Sequence, residues 1–325
     1  MTDKTVAAAI VTYNRLPLLK ESLAAVLAQT NYLSHVIVVD NLSTDGTKEY
    51  LDSLHDSRVV VYHADKNLGG AGGFNQAVRL FGETLEDDYV WLMDDDTIPE
   101  PDALKHLVEF SESHPEAGFV NSQVRWGSVT GNPSWMNVTA PRAFTWQRYL
   151  TDKDQPAIEV VNSTFVSVMF SREMVAMVGL PQKEYFIWGD DMEYTNSIAD
   201  IKRGYMVINS IAVHKSKENT KPGDIIAEKD ASRLWRYDYE YRNRVLTARR
   251  ISTKDMIKTI IGAVIYDWRR TLLKRGVPFR AKKLGMIIRG LWRGLFFKPT
   301  IEYAAGLHQT KTISLRELDL EELLN

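Results

Sequence analysis

No cysteine occurs in the 325 residues, which excludes disulfides and any metal site built on thiolates. Long apolar runs are also missing: none approaches the roughly 18–20 residues that a membrane-spanning helix needs. The opening Met1-Thr2-Asp3-Lys4 has neither the charged nor the apolar region of a secretory signal. Two matches to the glycosylation sequon, Asn137-Val138-Thr139 and Asn162-Ser163-Thr164, therefore carry no weight. These absences predict a soluble cytoplasmic chain. Excess charge of one sign is small, −2 overall, but it hides an uneven distribution. Hydrophobic and charged fractions of 44% and 25% are those of an ordinary globular protein, so disorder is not expected. The length suits one large domain, or one domain with a sizeable appendage.

Apolar runs over residues 5–12 and 35–39 read as strands covered on both faces, and a third strand is predicted over 59–62. Helices are predicted over 16–29, 47–54, 67–82 and 101–113. Strand and helix in alternation indicate an α/β fold with a mostly parallel, doubly wound sheet. Such sheets bind ligands beyond the carboxyl ends of their strands. Tyr13-Asn14-Arg15, Asp40-Asn41, Asn67 to Gly70 and Asp94-Asp95-Asp96 all fall at that edge.

The acidic triplet is the centre of this pattern. Val90-Trp91-Leu92-Met93 delivers three consecutive carboxylates to a point where Pro99 and Pro101 are expected to stop the strand. Adjacent carboxylates repel, and a hard divalent cation removes that penalty; the alternative is a solvated acidic loop. Residues 123–156 show no clear period and read as an irregular insertion or hairpin. Its Trp126, Trp135 and Trp146 could stack on sugars or simply pack. After a strand predicted over 160–170 comes a second acidic group, Trp188-Gly189-Asp190-Asp191-Met192-Glu193. Asp190 as a helix cap and Glu193 as its capping-box partner would account for two of these acids and leave Asp191 without a structural reason. A last strand over 205–213 ends in His214, either a structural histidine or a metal ligand.

Together the triplet, the acidic helix start and His214 resemble the family 2 inverting glycosyltransferases of the GT-A fold, over about residues 5–215. Asn67-Leu68-Gly69-Gly70-Ala71-Gly72-Gly73-Phe74 beside three aspartates is most similar to bacterial galactofuranosyltransferases, with rhamnosyltransferases using dTDP-rhamnose next. The resemblance implies a GT-A catalytic domain over 1–225 and a helical region over 226–325. It implies Mn²⁺ or Mg²⁺ on Asp94, Asp96 and His214. A nucleotide sugar, UDP-galactofuranose by preference, would lie against Thr12, Tyr13, Asn14, Arg15, Asp40, Asn67, Gly70, Asp94 and Asp95. The glycines would let backbone approach the nucleotide, and the helix start after them would favour anions. Asp191 would be the general base with Asp190 beside it, and Trp188, Gly189, Asp190 and Glu193 would hold a lipid-linked glycan acceptor of bacterial surface polysaccharide synthesis. A nucleotidyltransferase of the same fold would need a basic triphosphate loop near the first strand and leaves Asp191 idle. A non-catalytic membrane adaptor would not need the intact acids.

Residues 230–250 are helical in pattern and carry Tyr237, Tyr239, Tyr241, Arg242 and Asn243, read either as closure over the substrates or as packing. From Tyr266 to Lys298 there are ten Lys or Arg against Asp267 alone. Leu284, Ile287, Ile288, Leu291 and Leu295 fall on one helical face of 281–298, with Lys282, Arg289 and Arg293 on another. Such a helix, with Trp292, Phe296 and Phe297, predicts peripheral attachment of 266–298 to an anionic membrane, at the inner face of the cell membrane. A homo-oligomer interface is the alternative, and nucleic acid is not expected because the rest of the chain is acidic. Residues 315–324 read as a short acidic amphipathic segment that packs on this basic stretch.

Overall fold

The computed structural model describes residues 4–143, 156–219 and 223–307, so Trp146 and the acidic segment 315–324 lie outside the described residues. The first half alternates as the sequence predicts: β1 (Val6–Thr12), α1 (Leu16–Leu27), β2 (Leu33–Asp40), α2 (Thr47–Asp52), β3 (Val59–His63), α3 (Gly69–Thr84) and β4 (Tyr89–Asp94). β3, β2, β1 and β4 lie side by side and parallel. Successive side chains on a strand point to opposite faces, and here both faces are covered. Ala7, Ala9, Val11, Val90 and Leu92 meet Phe74, Val78 and Phe81 of α3. Val6, Ala8, Ile10, Trp91 and Met93 meet Leu19, Leu23 and Val26 of α1 and Leu104, Leu107 and Val108 of α4 (Ala103–Ser113). This two-sided burial is why the strands read as unbroken apolar runs.

Beyond β4 the structure departs from expectation. The proline pair does not end the pairing: Thr97–Pro99 form a short strand, β5, antiparallel to the long β9 (Arg203–His214). Proline has no N–H to donate, and β5 is at the end of the strand order, where that is tolerated. The stretch read as irregular from residue 123 begins inside β6 (Ala117–Trp126), which runs parallel to β9. The single strand expected over 160–170 is two, β7 (Ala157–Val160) and β8 (Val168–Ser171), parted by a loop. Among the described residues nine strands form one sheet, half of whose pairings are antiparallel.

α5 (Arg172–Val178) and α6 (Asp190–Ala199) complete the first body. The C-terminal helices are α7 (Arg236–Ile251), α8 (Thr253–Gly262), a π-helical stretch Ala263–Trp268, α9 (Arg269–Leu273) and α10 (Arg280–Phe296). They have a core of their own around Leu234, Tyr241, Val245, Ala263, Ile287 and Leu291. The chain then returns to the sheet layers: Leu180 N–H donates to the Glu302 carbonyl at 2.7 Å, and Ala304 and Leu307 join the core beside α3.

α10 corrects the sequence reading in detail. Ile287 and Leu291, expected to face a membrane, are buried against α7. Arg289 and Arg293 are paired to Asp238 at 2.9 and 2.5 Å, and Lys283 is buried, donating to the Glu228 carbonyl at 2.7 Å. What faces outwards is the remaining part of the expected apolar set, Ile288, Trp292, Leu295 and Phe296, with Trp292 63% and Phe296 67% exposed. No described helix is long and apolar enough to cross a membrane.

Candidate active site

Parallel register aligns the ends of the first strands. Thr12 pairs with Asp40, Asp40 with His63, and Val11 with Asp94. Asp94 is the last residue of β4, and Asp95-Asp96 form the turn into β5. The pairing of Thr97 with His214 then carries the histidine to the triplet, although 118 positions separate His214 from Asp96 in the chain. One ligand atom each from Asp94, Asp96 and His214 lies within 4.8 Å of the others. Asp95 faces β1 instead. It accepts from Thr12 Oγ1 at 2.8 Å and from Arg15 Nη1 at 3.2 Å, while the same nitrogen reaches Asp96 at 2.7 Å.

Burial, reinforced by the neighbouring Asp96 charge, pushes the Asp94 carboxyl up, and burial lifts Asp95 to about 6 against the pull of Arg15. Asp96 runs the other way: burial is outweighed by His214 and Arg15, and its carboxyl is held low. His214 in turn is raised, because Asp96 and Asp94 outweigh its burial. Asp96 Oδ1 is buried without a well-aligned hydrogen bond, although His214 Nε2 stands 3.1 Å away. A buried carboxylate oxygen left without a donor is costly. Two carboxylates and an imidazole around such an oxygen form a donor set that suits Mn²⁺, and the site fits a divalent cation.

The residues expected around a nucleotide are brought together at this edge, though several are engaged with one another. Asp40 accepts from Ser43 N–H at 2.9 Å and lies 3.0 Å from His63 Nδ1. Asn14 accepts from Thr44 N–H at 2.7 Å, and the Tyr13 ring is exposed. Asn67 accepts from Gly69 N–H at 2.8 Å. Asn41, which the sequence places at this edge without a role, accepts from Leu68 N–H at 2.7 Å and donates to the Gly69 carbonyl at 3.0 Å. The glycine run also has another purpose than the one expected. Gly69 has φ +71°, and a Cβ there would strike the carbonyl of Phe186. Ala71 N–H donates to that same carbonyl at 3.3 Å. The start of α3 thus abuts the loop before Asp190, while Gly70 borders open space.

That loop is strained. Phe186 and Trp188 have φ of 64° and 62°, values that side-chain-bearing residues adopt at a cost of about 1–3 kcal/mol each. α7 holds it there. Asn243 Nδ2 donates to the carbonyls of Tyr185, Ile187 and Trp188 at 3.1, 3.0 and 2.8 Å, and Arg242 Nη2 to those of Glu184 and Tyr185 at 2.5 and 3.2 Å. The Arg-Asn pair is therefore an internal clasp, a role the sequence reading left between closure and packing. Gly189, not Asp190, caps α6. Asp190 is buried and its carboxyl raised well above the usual range, first by burial and then by Asp191; Asp94 adds to the effect, so the two acidic groups sense one another. Burial lifts Asp191 to about 6, opposed by the N–H groups of Met192, Phe165 and Gly189. Glu193, expected at the acceptor, is buried and paired to Arg250 at 2.8 Å, because it falls on the inward face of α6. Its carboxylate is used for packing charge, not held open.

The sequence model of glycosyl transferase family 2 matches residues 8–177, just over half of the chain. The chain belongs to glycosyl transferase family 2. This family-2 chain is 30% identical, over 198 residues, to galactofuranosyltransferase GlfT1 of Mycolicibacterium smegmatis, a match covering 58% of this chain and 64% of that relative. It thus spans less than two thirds of that relative's length. Among solved structures, GalNAc-T7 with UDP, GalNAc and Mn²⁺ aligns over 89% of this chain and 55% of its own, with TM-score 0.60 and 15% identity. The mannosyltransferase PcManGT of Pyrobaculum calidifontis with GDP-Man and Mn²⁺ aligns over 92% and 89%, with TM-score 0.51 and 17% identity. At these identities the likeness is one of fold, and it is the GT-A fold.

Two further residues of this family-2 site escaped the sequence reading. Arg236 makes no hydrogen bond or ion pair among the described residues, and its guanidinium lies 5.9 and 5.8 Å from the Trp188 and Trp235 rings. Its pKa is lowered chiefly by burial, then by Arg233, with Arg15 also contributing. Glu240 is raised by burial, with Asp191 among the charges acting on it. No local motif marks either one; only the placing of α7 against the acidic loop does.

Proposed function

We propose that this protein is a metal-dependent inverting glycosyltransferase that moves galactofuranose from UDP-galactofuranose to a lipid-linked glycan acceptor. The observation that carries the reading is the meeting of two acidic groups at one sheet edge. One is clustered with a histidine around an oxygen that lacks a donor, and the other is a raised aspartate pair at a helix start. The galactofuranosyltransferase relative supports the choice of sugar.

Asp94, Asp96 and His214 would hold Mn²⁺ or Mg²⁺, which supplies positive charge for a departing diphosphate. Thr12 and Arg15 fix Asp95 so that it cannot swing into the cluster. The acceptor hydroxyl oxygen bonds to the anomeric carbon as the bond from that carbon to the phosphate oxygen breaks. The electron pair leaves with the nucleoside diphosphate, and the hydroxyl proton passes to Asp191. The backbone N–H groups around Asp191, that of Met192 at 2.7 Å among them, keep it ionised near neutral pH. Arg236, held between two indoles and without a carboxylate partner, is free to meet the diphosphate.

Residues 1–225 would act as the catalytic unit. The outward stripe Ile288, Trp292, Leu295 and Phe296 would rest on the anionic inner face of the cell membrane, with Arg280, Lys282 and Lys298 nearby in sequence to meet the headgroups. Trp292→Ser with Phe296→Ser should weaken binding to anionic liposomes and leave neutral ones unaffected. A concentration-dependent dimer lost in the same variant would instead assign the stripe to a second copy.

The test of the reaction offers UDP-galactofuranose, UDP-galactopyranose, UDP-glucose and dTDP-rhamnose with Mn²⁺ and follows nucleotide release and thermal protection. Selective response to UDP-galactofuranose is expected. Response to dTDP-rhamnose alone would move the chain to rhamnosyl transfer, and silence with all four would refute the catalytic reading.

A further inference from the structure

The insertion between β6 and β7 reaches beneath the candidate metal site. Ser134 is 1% exposed, and its Oγ lies 3.3 Å from His214 Nδ1 and donates to Asn137 Oδ1 at 2.6 Å. Asn137 turns its Oδ1 to the serine and donates from Nδ2 to Thr164 Oγ1 at 2.9 Å. The backbone around Ser134 is anchored on both sides. Ser134 N–H donates to the Val124 carbonyl at 3.1 Å, and Trp135 N–H to Asn219 Oδ1 at 2.8 Å, just past His214 in the chain.

The protons in this chain can be counted. An amide oxygen only accepts, so the single hydroxyl proton of Ser134 is committed to Asn137. Ser134 Oγ is left as an acceptor, and the group facing it, His214 Nδ1, must carry a proton. The neutral imidazole then has its lone pair on Nε2, the nitrogen 3.1 Å from Asp96 Oδ1 and within the Asp94–Asp96–His214 cluster. A ligating histidine whose second nitrogen is held in this way keeps one tautomer and one ring orientation.

We propose that Ser134, Asn137 and Thr164 are positioning residues that hold His214 as the Nδ1–H tautomer and so set the affinity of this site for its divalent cation. The inference rests on the metal-dependent reading of the site and adds to it a role for the insertion that nothing in its sequence period suggested.

The test is Mn²⁺ affinity, read from the electron paramagnetic resonance of free Mn²⁺ titrated into the full chain with UDP present. Ser134→Ala should weaken Mn²⁺ by about 10-fold, at the low end of what such outer partners contribute. Ser134→Thr should restore it. In Ser134→Ala, metal-free stability should fall as well, because the buried Asn137 Oδ1 loses its donor; the loss of Mn²⁺ affinity, read far below the melting temperature, is what a merely structural role would not produce. Thr164→Val, at the far end of the chain, should cause a smaller loss in the same direction. The proposal is overturned if Ser134→Ala, still folded at the assay temperature, binds Mn²⁺ as the parent does. A parent protein that binds no Mn²⁺ would sink the metal reading and the relay with it, whereas a binding parent with unaffected variants would sink the relay alone.

Discussion

The acids at the end of β4 and those at the head of α6 face the same space, yet they are made tolerable in different ways. Asp95 and Asp96 are met by charges, Arg15 on one side and His214 on the other, with Thr12 donating to Asp95. Asp191 is met by peptide N–H groups, and no arginine, lysine or histidine is paired to Asp190 or Asp191 among the described residues. A cluster in which two carboxylates repel and a buried Asp96 oxygen lacks a donor suits a cation. A pair raised by burial and steadied by dipoles suits a proton. The supports differ too: the first group ends a strand buried on both faces, while the second sits on a strained loop clasped by side chains of another helix.

The comparison breaks most sharply at Asp191. Asp191→Asn should lower sugar transfer by about 10³-fold, within the usual range for a general base, while Mn²⁺ and UDP binding persist; nucleotide release and calorimetry report the two. Asp96→Asn should do the reverse and remove binding first. With the parent protein, Mn²⁺ at about 100 times its dissociation constant should add roughly 2.7 kcal/mol of stability, or about 4 °C in melting temperature. In Asp96→Asn that shift should vanish.

Asn243→Ala separates the two groups by their supports. Three loop carbonyls lose their donor, at a cost of about 1–3 kcal/mol, and transfer should fall while the Mn²⁺-dependent thermal shift remains. Chemical denaturation and the thermal shift measure these independently.

The smallest effects are those of pH. Asp191 must be ionised to take a proton, so transfer should rise as pH passes about 6, where burial has moved its carboxyl. Stability has the opposite sign. Asp94, Asp95, Asp190 and Asp191 all titrate higher folded than unfolded, so the native state holds more protons. Metal-free stability should therefore fall as pH rises from the ordinary carboxylate range towards neutrality. Mn²⁺ should offset the part of that slope due to Asp94, which melting curves at pH 5 and 7.5 with and without metal would show.

Two-sided burial writes itself into sequence as continuous apolar strands, so β1, β2 and β4, the helices between them and the acids at their carboxyl ends were legible directly. Glu193 is assigned to the acceptor only through the family resemblance of the acidic helix start, and local sequence cannot show that its partner, Arg250, lies on another helix. The apolar face of α10 that the sequence offers to a membrane is partly covered for a related reason. An amphipathic period shows that a face is apolar but not what covers it, and here α7 does. Gly69 has in addition a packing reason that sequence cannot show, since the Phe186 carbonyl occupies the space a side chain would need.

By itself, the sequence determined the alternating α/β half, the strand-end acids and the acidic helix start, because local periodicity and strand-end position are properties of neighbouring residues. Only the tertiary structure decided that His214 meets Asp96, that Asn243 holds the acidic loop and that Ser134 sits behind the histidine. Each of these contacts joins residues tens to more than a hundred positions apart, and their pairing follows from strand register and helix packing, which no local pattern records.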